Sequence, residues 1–400
     1  MISTMELQRA WRGPVLFSYG FRPFFLCGSI LAALLVPLWV PWYFGLITVP
    51  SALPPVAWHA HELLFGYVPA IVAGFLLTAV PNWTGRLPVV GWPLVGLFGL
   101  WLTGRLAVAV SLLLDPLSVA IFSLLFPMAL AGVIAREIVA GGNWRNLKVL
   151  GGIVMLTLAQ ALFHYEIWRH GHAVSGDRLA IGVTVMLIMI VGGRIVPSFT
   201  TNWLKRENPG RQPEPFGRFD VIAMAAGGVA LATWAAAPLH AGLIAPAGLL
   251  LLAAGALQAV RLLRWAGDRT LAEPLVTVLH VAFAFVPVGY LLTGYGLLAD
   301  SAAARSAGVH AWTAGAIGLM TLAVMTRASR GHSGRALTAP PSTILIYLAA
   351  FLAAVLRMAA SFAPEHMTVL LAAAGGAWTL AFLGFAAGYG PMLVRARAGA

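Results

Sequence analysis

The sequence predicts an all-α, polytopic membrane protein with about twelve transmembrane helices and both termini cytoplasmic. Three observations predict it. First, 60% of the 400 residues are hydrophobic and only 10% are charged, whereas charge runs near a quarter in soluble proteins. Second, the apolar residues gather into runs that, at about 1.5 Å per helical residue, cross a hydrocarbon core of about 30 Å. Third, the basic residues sit in the short segments between runs, so the net charge of +12 speaks for membrane topology and gives no reason to invoke nucleic acid.

Twelve spans result, at roughly 24–46, 57–80, 91–111, 116–136, 148–168, 179–203, 219–237, 241–262, 273–295, 308–328, 342–362 and 367–394, forming one domain over residues 1–400. The first comes after Arg9, Arg12 and Arg22 and is too long for a signal peptide, so it reads as a span. Arg86 separates the second span from the third; Arg136, Arg145 and Lys148 separate the fourth from the fifth. The longest polar stretch, Lys205 to Arg218, is the loop after the sixth span, and the alanine-rich seventh and eighth are parted by a short turn at Pro238. Arg261, Arg264 and Arg269 lie between the eighth and ninth spans, and Arg327, Arg330 and Arg335 between the tenth and eleventh. With Arg206, Arg211, Arg395 and Arg397, an N-terminus placed inside puts nineteen basic residues on the cytoplasmic side. The outer side receives Arg169, Arg178 and Arg305, while Arg105, Arg194 and Arg357 fall within spans. This bias sets the orientation.

The chain is organised around Trp58 to Arg86, which opens with His59, His61 and Glu62, crosses one bilayer's width and ends in Pro81-Asn82-Trp83-Thr84. Ionisable residues inside a membrane are costly and mark functional sites. His59 and His61 are two residues apart and point to nearly opposite sides of a regular helix. Either the helix start is unwound, as Pro54 and Pro55 would allow, or the two serve different centres. Interfacial histidines bonded to headgroups are the plainer alternative. Glu62 shares a face with His59 three residues earlier, the place for a carboxylate that orients an imidazole ligand. His164 and His310 lie at the outer ends of the fifth and tenth spans; neutral imidazole ligates copper, zinc and haem iron and is tolerable at low dielectric. His59, His61, His164 and His310 are therefore the candidate metal ligands, with Trp58 beside them. His170, His172, His240 and His366 fall in outer loops and receive no role.

A second constellation lies towards the cytoplasmic side: Asn82, Trp83, Thr84, Arg194, His280, Arg327 and His332. Arg194 needs an anionic partner, either a propionate-like group held in a bidentate pair or, by snorkelling, the inner headgroups. His280 lies within a span, where an imidazole must find a partner. Met186, Met189, Met320 and Met325 could offer soft sulfur to Cu(I), though core filling is the commoner use of methionine. One cysteine, Cys27, excludes an internal disulfide, a CxxC pair and an iron–sulfur cluster. No P-loop, HExxH, GxSxG or strand-borne GxGxxG occurs. A short internal echo links Val80-Pro81-Asn82-Trp83, Val196-Pro197-Ser198-Phe199 and Ala323-Val324-Met325-Thr326, spaced four helices apart as three repeats of four would be.

Three blocks make the sequence resemble the NnrS family of bacterial membrane proteins. They are Trp58-His59-Ala60-His61-Glu62-Leu63-Leu64-Phe65-Gly66-Tyr67; Gly193-Arg194-Ile195-Val196-Pro197-Ser198-Phe199-Thr200; and His310-Ala311-Trp312-Thr313-Ala314-Gly315, continuing to Met325-Thr326-Arg327 and Gly331-His332-Ser333-Gly334-Arg335. The resemblance implies a bacterial inner-membrane protein containing haem b and copper, associated with denitrification and the response to nitric oxide. Joined to the placement of the ionisable residues within the spans, it leads us to expect cofactor binding by His59, His61, His164, His280, His310 and Arg194, with copper on the outer-edge histidines. Nitric oxide would bind at haem, and turnover would make the protein an NO-metabolising oxidoreductase with an electron donor still to be identified. The alternative class is a secondary transporter whose helices are broken at Pro69, Pro81, Pro127, Pro197 and Pro287 and whose histidines relay protons or metal. A haem-binding sensor without turnover is the third reading.

Overall fold

The computed structural model describes residues 10–396, so Arg9 and Arg397, both counted towards the orientation, lie outside the described residues. All regular structure among the described residues is helical. Twelve helices there are long and apolar enough to cross a membrane: α1 (Phe21–Tyr43), α2 (Pro55–Thr84), α3 (Trp92–Ala109), α4 (Pro116–Ala140), α5 (Trp144–His170), α6 (Ser175–Glu207), α7 (Arg218–Leu239), α8 (Ala241–Arg269), α9 (Pro274–Leu298), α10 (Ala302–His332), α11 (Pro341–Ala359) and α12 (Pro364–Val394). Prolines at the first turn of α2, α3, α4, α9 and α11 start these helices where a missing N–H is harmless.

Several helices run longer than their apolar stretch. α6 and α10 hold 33 and 31 residues, about 50 and 46 Å at the α-helical rise, so their polar C-terminal turns pass beyond the hydrocarbon. α1 begins ahead of the predicted residue 24 because Arg22 is a structural residue with a helical role. Its guanidinium is buried and donates to the carbonyls of Met392, Leu393 and Arg395, at 3.3, 2.9 and 2.9 Å. It thereby caps the C-terminal end of α12, whose last carbonyls have no partner within the helix.

Helix α2 holds the main departure from regularity. The pair Pro54-Pro55 does not unwind its start: Pro55 takes the first helical position and the chain is α-helical through His61. The irregularity comes afterwards, where Glu62–Tyr67 form a π turn before α-helix resumes at Val68. Pro69 comes at once after it; it has no N–H to donate, and its ring crowds the carbonyl four residues back, which a widened turn relieves. Comparable π turns occupy Ile188–Gly192 in α6 and Ala311–Leu319 in α10.

The chain divides into two compact units. The first comprises residues up to Ala180 with Ala328–Ala336 and the segment from Phe382. Its core joins α1 through α5: Phe24, Leu77, Trp101, Phe126, Ile134 and Ile153 are all within one buried cluster. Small residues permit the close contacts, as at Gly104, where an added Cβ would lie 3.1 Å from the Ser123 backbone. The second unit comprises Ile181–Arg327 and Leu337–Ala381. There α8 and α9 meet at Gly248 and Gly294, each of which has the other's carbonyl oxygen close to where a Cβ would go. Arg261, fully buried, pairs with Asp220 at 3.0 Å and donates to the Met189 carbonyl in the π turn of α6.

Candidate metal centre

In the first unit, α2, α3, α4 and α5 bring together a chain of buried polar groups. His61 closes the regular first turns of α2 and is 0% exposed; Glu62, the first residue of the π turn, is 3% exposed. A carboxylate oxygen of Glu62 accepts from His61 Nδ1 at 3.0 Å and also from the guanidinium of Arg105 on α3. Arg105, 8% exposed, fits because the facing residue of the π turn is glycine: a Cβ on Gly66 would lie 2.5 Å from Arg105 Nη1. The Gly66 carbonyl accepts from Trp101 Nε1 at 2.9 Å.

On its other side, His61 Nε2 faces His164 Nε2 of α5 at 3.3 Å. His164 Nε2 also lies 2.8 Å from Ser123 Oγ of α4, whose hydroxyl donates to the Val119 carbonyl; it therefore accepts from His164 Nε2–H, a proton that an ion bound there would displace, and Gln160, one turn earlier on α5, donates to the Ser123 carbonyl. Phe65 and Phe163 pack against the His61 ring. These contacts fix protonation. Glu62 paired with Arg105 is an acceptor, so His61 carries its proton on Nδ1 and presents a lone pair at Nε2. A carboxylate on one ring nitrogen with the other aimed at a second imidazole is the arrangement by which proteins orient histidine ligands. Two nitrogens bound to one metal at about 2.0–2.1 Å and near-tetrahedral angle lie about 3.3–3.4 Å apart, so the spacing of this pair fits a shared ion. Among the described residues no cluster of three or more His, Cys, Asp or Glu side chains stands ready to hold a metal. The two imidazoles would therefore leave coordination positions open.

The structure sorts the other expected residues differently. His59 does not join His61; its ring stacks on Trp39 at 4.2 Å between centroids. The cause is the two-residue offset on a helix that stays regular there. Glu62 serves His61, not His59 as the three-residue spacing suggested, because the π turn re-aims its side chain. Trp58 is buried against Trp42. His310 belongs to the second unit, where its Nδ1 donates to the Ser306 carbonyl at 2.8 Å.

Of the inner-side residues, Arg194, His280 and Arg327 belong to the second unit and Asn82, Trp83, Thr84 and His332 to the first. Arg194 is exposed, which suits the snorkelling alternative. His280 is buried, and its Nε2 meets Thr200 Oγ at 2.8 Å. Since the Thr200 hydroxyl donates to Val196, it accepts from His280 Nε2–H, and the lone pair on Nδ1 is buried against Gly267. His280 Nδ1 thus stands buried with no hydrogen-bond partner among the described residues. Arg327 lies over the Phe199 ring at 4.0 Å in the second unit. In the first unit Asn82 is exposed and donates to Thr78, and exposed His332 packs on Tyr19 and Phe21. Sequence reasoning missed Arg105 and Ser123; Arg105 was visible as an arginine inside a span without a nearby acidic residue on its own helix.

An all-helical chain with twelve helices long and apolar enough to cross a membrane, and a buried pair of facing imidazoles among them, has the make-up of a multi-pass membrane protein. The NnrS protein family matches residues 15–397, and the chain belongs to that family. Comparison with curated protein sequences finds no match.

Proposed function

We propose that the chain is a membrane metalloprotein that handles nitric oxide or nitrosyl species, with copper between His61 and His164 and haem b on His310. The observation that carries this reading is the facing Nε2 pair at 3.3 Å, with Glu62 and Arg105 holding His61 in the ligand tautomer. Imidazole suits copper, and a two-histidine site leaves room for a small diatomic ligand. Haem, when bound, would supply an iron able to take nitric oxide. The residues do the rest: Ser306 fixes the His310 tautomer, Glu62 fixes that of His61, and Phe65 and Phe163 keep water from the imidazole pair. The chain would lie in the bacterial inner membrane with its basic loops cytoplasmic, in the orientation the Lys and Arg distribution favours. Electrons would come from a separate donor.

Detergent-purified protein from haem-replete cells tests the proposal. A Soret band lost in His310→Ala, together with copper lost in His61→Ala and His164→Ala, is the expected result. Absence of both cofactors from wild-type protein would reject it. An NO electrode on the reduced protein then separates turnover from simple binding.

A further inference from the structure

Ligand type alone does not choose the ion at this centre, because imidazole serves Zn(II) and Cu(II) as well as Cu(I). Charge does. The ionised groups bonded into the cluster are Glu62 and Arg105, one of each sign, joined through a single carboxylate oxygen. Both are more than nine-tenths buried, as is His61, and Ser123 and Gln160 add only neutral dipoles. With neutral imidazoles the cluster therefore has no net charge, and whatever charge an ion carries stays uncompensated in a buried site. The desolvation cost of an ion rises as the square of its charge, so a dication meets about four times the penalty of a monocation of equal size. Were the site meant for a divalent metal, Glu62 without Arg105 would supply the missing charge. Instead Gly66 opens the space that Arg105 fills.

Resting on the bis-histidine reading above, we propose that the centre selects a soft monovalent cation over divalent ones, and that Arg105 sets this choice by cancelling the charge of Glu62. Cu(I) is the biological ion of that class, and Ag(I) is its redox-inert probe. Arg105 is a positioning residue: it touches Glu62, which holds His61, and does not reach the ion. A unit charge at roughly 6 Å with an effective dielectric near 20 alters a monocation's affinity by about a hundredfold, and a dication's by the square of that.

The experiment titrates the metal-stripped full chain in lipid nanodiscs with Ag(I) or Zn(II) and counts metal retained per chain by atomic emission. The His61→Ala/His164→Ala double variant subtracts all other sites. Wild type should retain one Ag(I) through the two histidines, while Zn(II) at the same free concentration fills less than about a tenth of that site. Arg105→Gln should raise histidine-dependent Zn(II) retention at least about tenfold. Equal histidine-dependent retention of Ag(I) and Zn(II) by wild type would overturn the selection by charge while leaving the bis-histidine centre standing. No histidine-dependent retention of either ion would overturn both. Should Arg105→Gln fail to accumulate, the wild-type comparison decides by itself.

Discussion

Glu62 carries two duties through one oxygen atom, since it orients His61 and neutralises Arg105. Removing either partner therefore has different consequences. Glu62→Gln keeps the volume but weakens the hold on His61, and copper retention should fall about ten- to a hundredfold, as measured by metal analysis. Arg105→Leu strands a buried carboxylate and should lower stability by about 3–5 kcal/mol, read as a fall in thermal midpoint. Glu62→Leu/Arg105→Leu should recover much of that loss, because a buried pair replaced by apolar groups is close to neutral. Outside the spans, Asp115 caps α4 by accepting from the Ser118 N–H at 3.0 Å and its hydroxyl at 2.5 Å. These bonds hold its carboxyl below the usual aspartate value. The cap is thus fully present at neutral pH and is lost as pH falls through that lowered value. Amide exchange in the first turn of α4 should quicken on strong acidification in wild type and be fast at all pH in Asp115→Ala. The sequence pointed to His61, His164 and Glu62 because ionisable groups stand out in apolar runs. Which of them meet was hidden: His61 and His164 lie 103 residues apart, and only tertiary packing joins them.

Among the elements, the apolar runs made the helices legible and left the π turns invisible, since one extra residue in a turn leaves no mark on an apolar stretch. Yet the π turns fall in α2, α6 and α10, the same spans whose ends echo one another at four-helix spacing. Two of them share a further device. Arg105 presses on Gly66 in α2, and Arg261 presses on Gly193 beside the π turn of α6, where a Cβ would lie 2.2 Å from its Nη2. Gly66→Ala should therefore cost about 1–3 kcal/mol through displaced Arg105, seen as a lower thermal midpoint and as lost copper. Deleting Leu63 should convert the π turn to regular helix, keeping the remainder of α2 close to its present phase while removing the widened turn that sets Glu62 and Gly66 against Arg105. Metal content falling while helical circular dichroism holds is the expected signature; unchanged metal would show that the widened turn does not aim the site.

At the scale of the whole molecule, an even number of crossings demands that the first and last helices present the chain's two ends to one face of the membrane. Arg22 supplies the joint inside the first unit, its guanidinium reaching three carbonyls at the end of α12. Arg22→Ala leaves those carbonyls unmet and should loosen the last turn of α12, detectable as faster proteolysis after Val394 than after Tyr43. The same clasp makes the protein a candidate for circular permutation. Residues 396 and 10 could be joined by a glycine–serine linker and the chain reopened in the Lys205–Arg218 loop. A permutant that inserts and retains its metal would show that the order in which the helices are synthesised is free to change, provided the clasp that draws first and last together is kept.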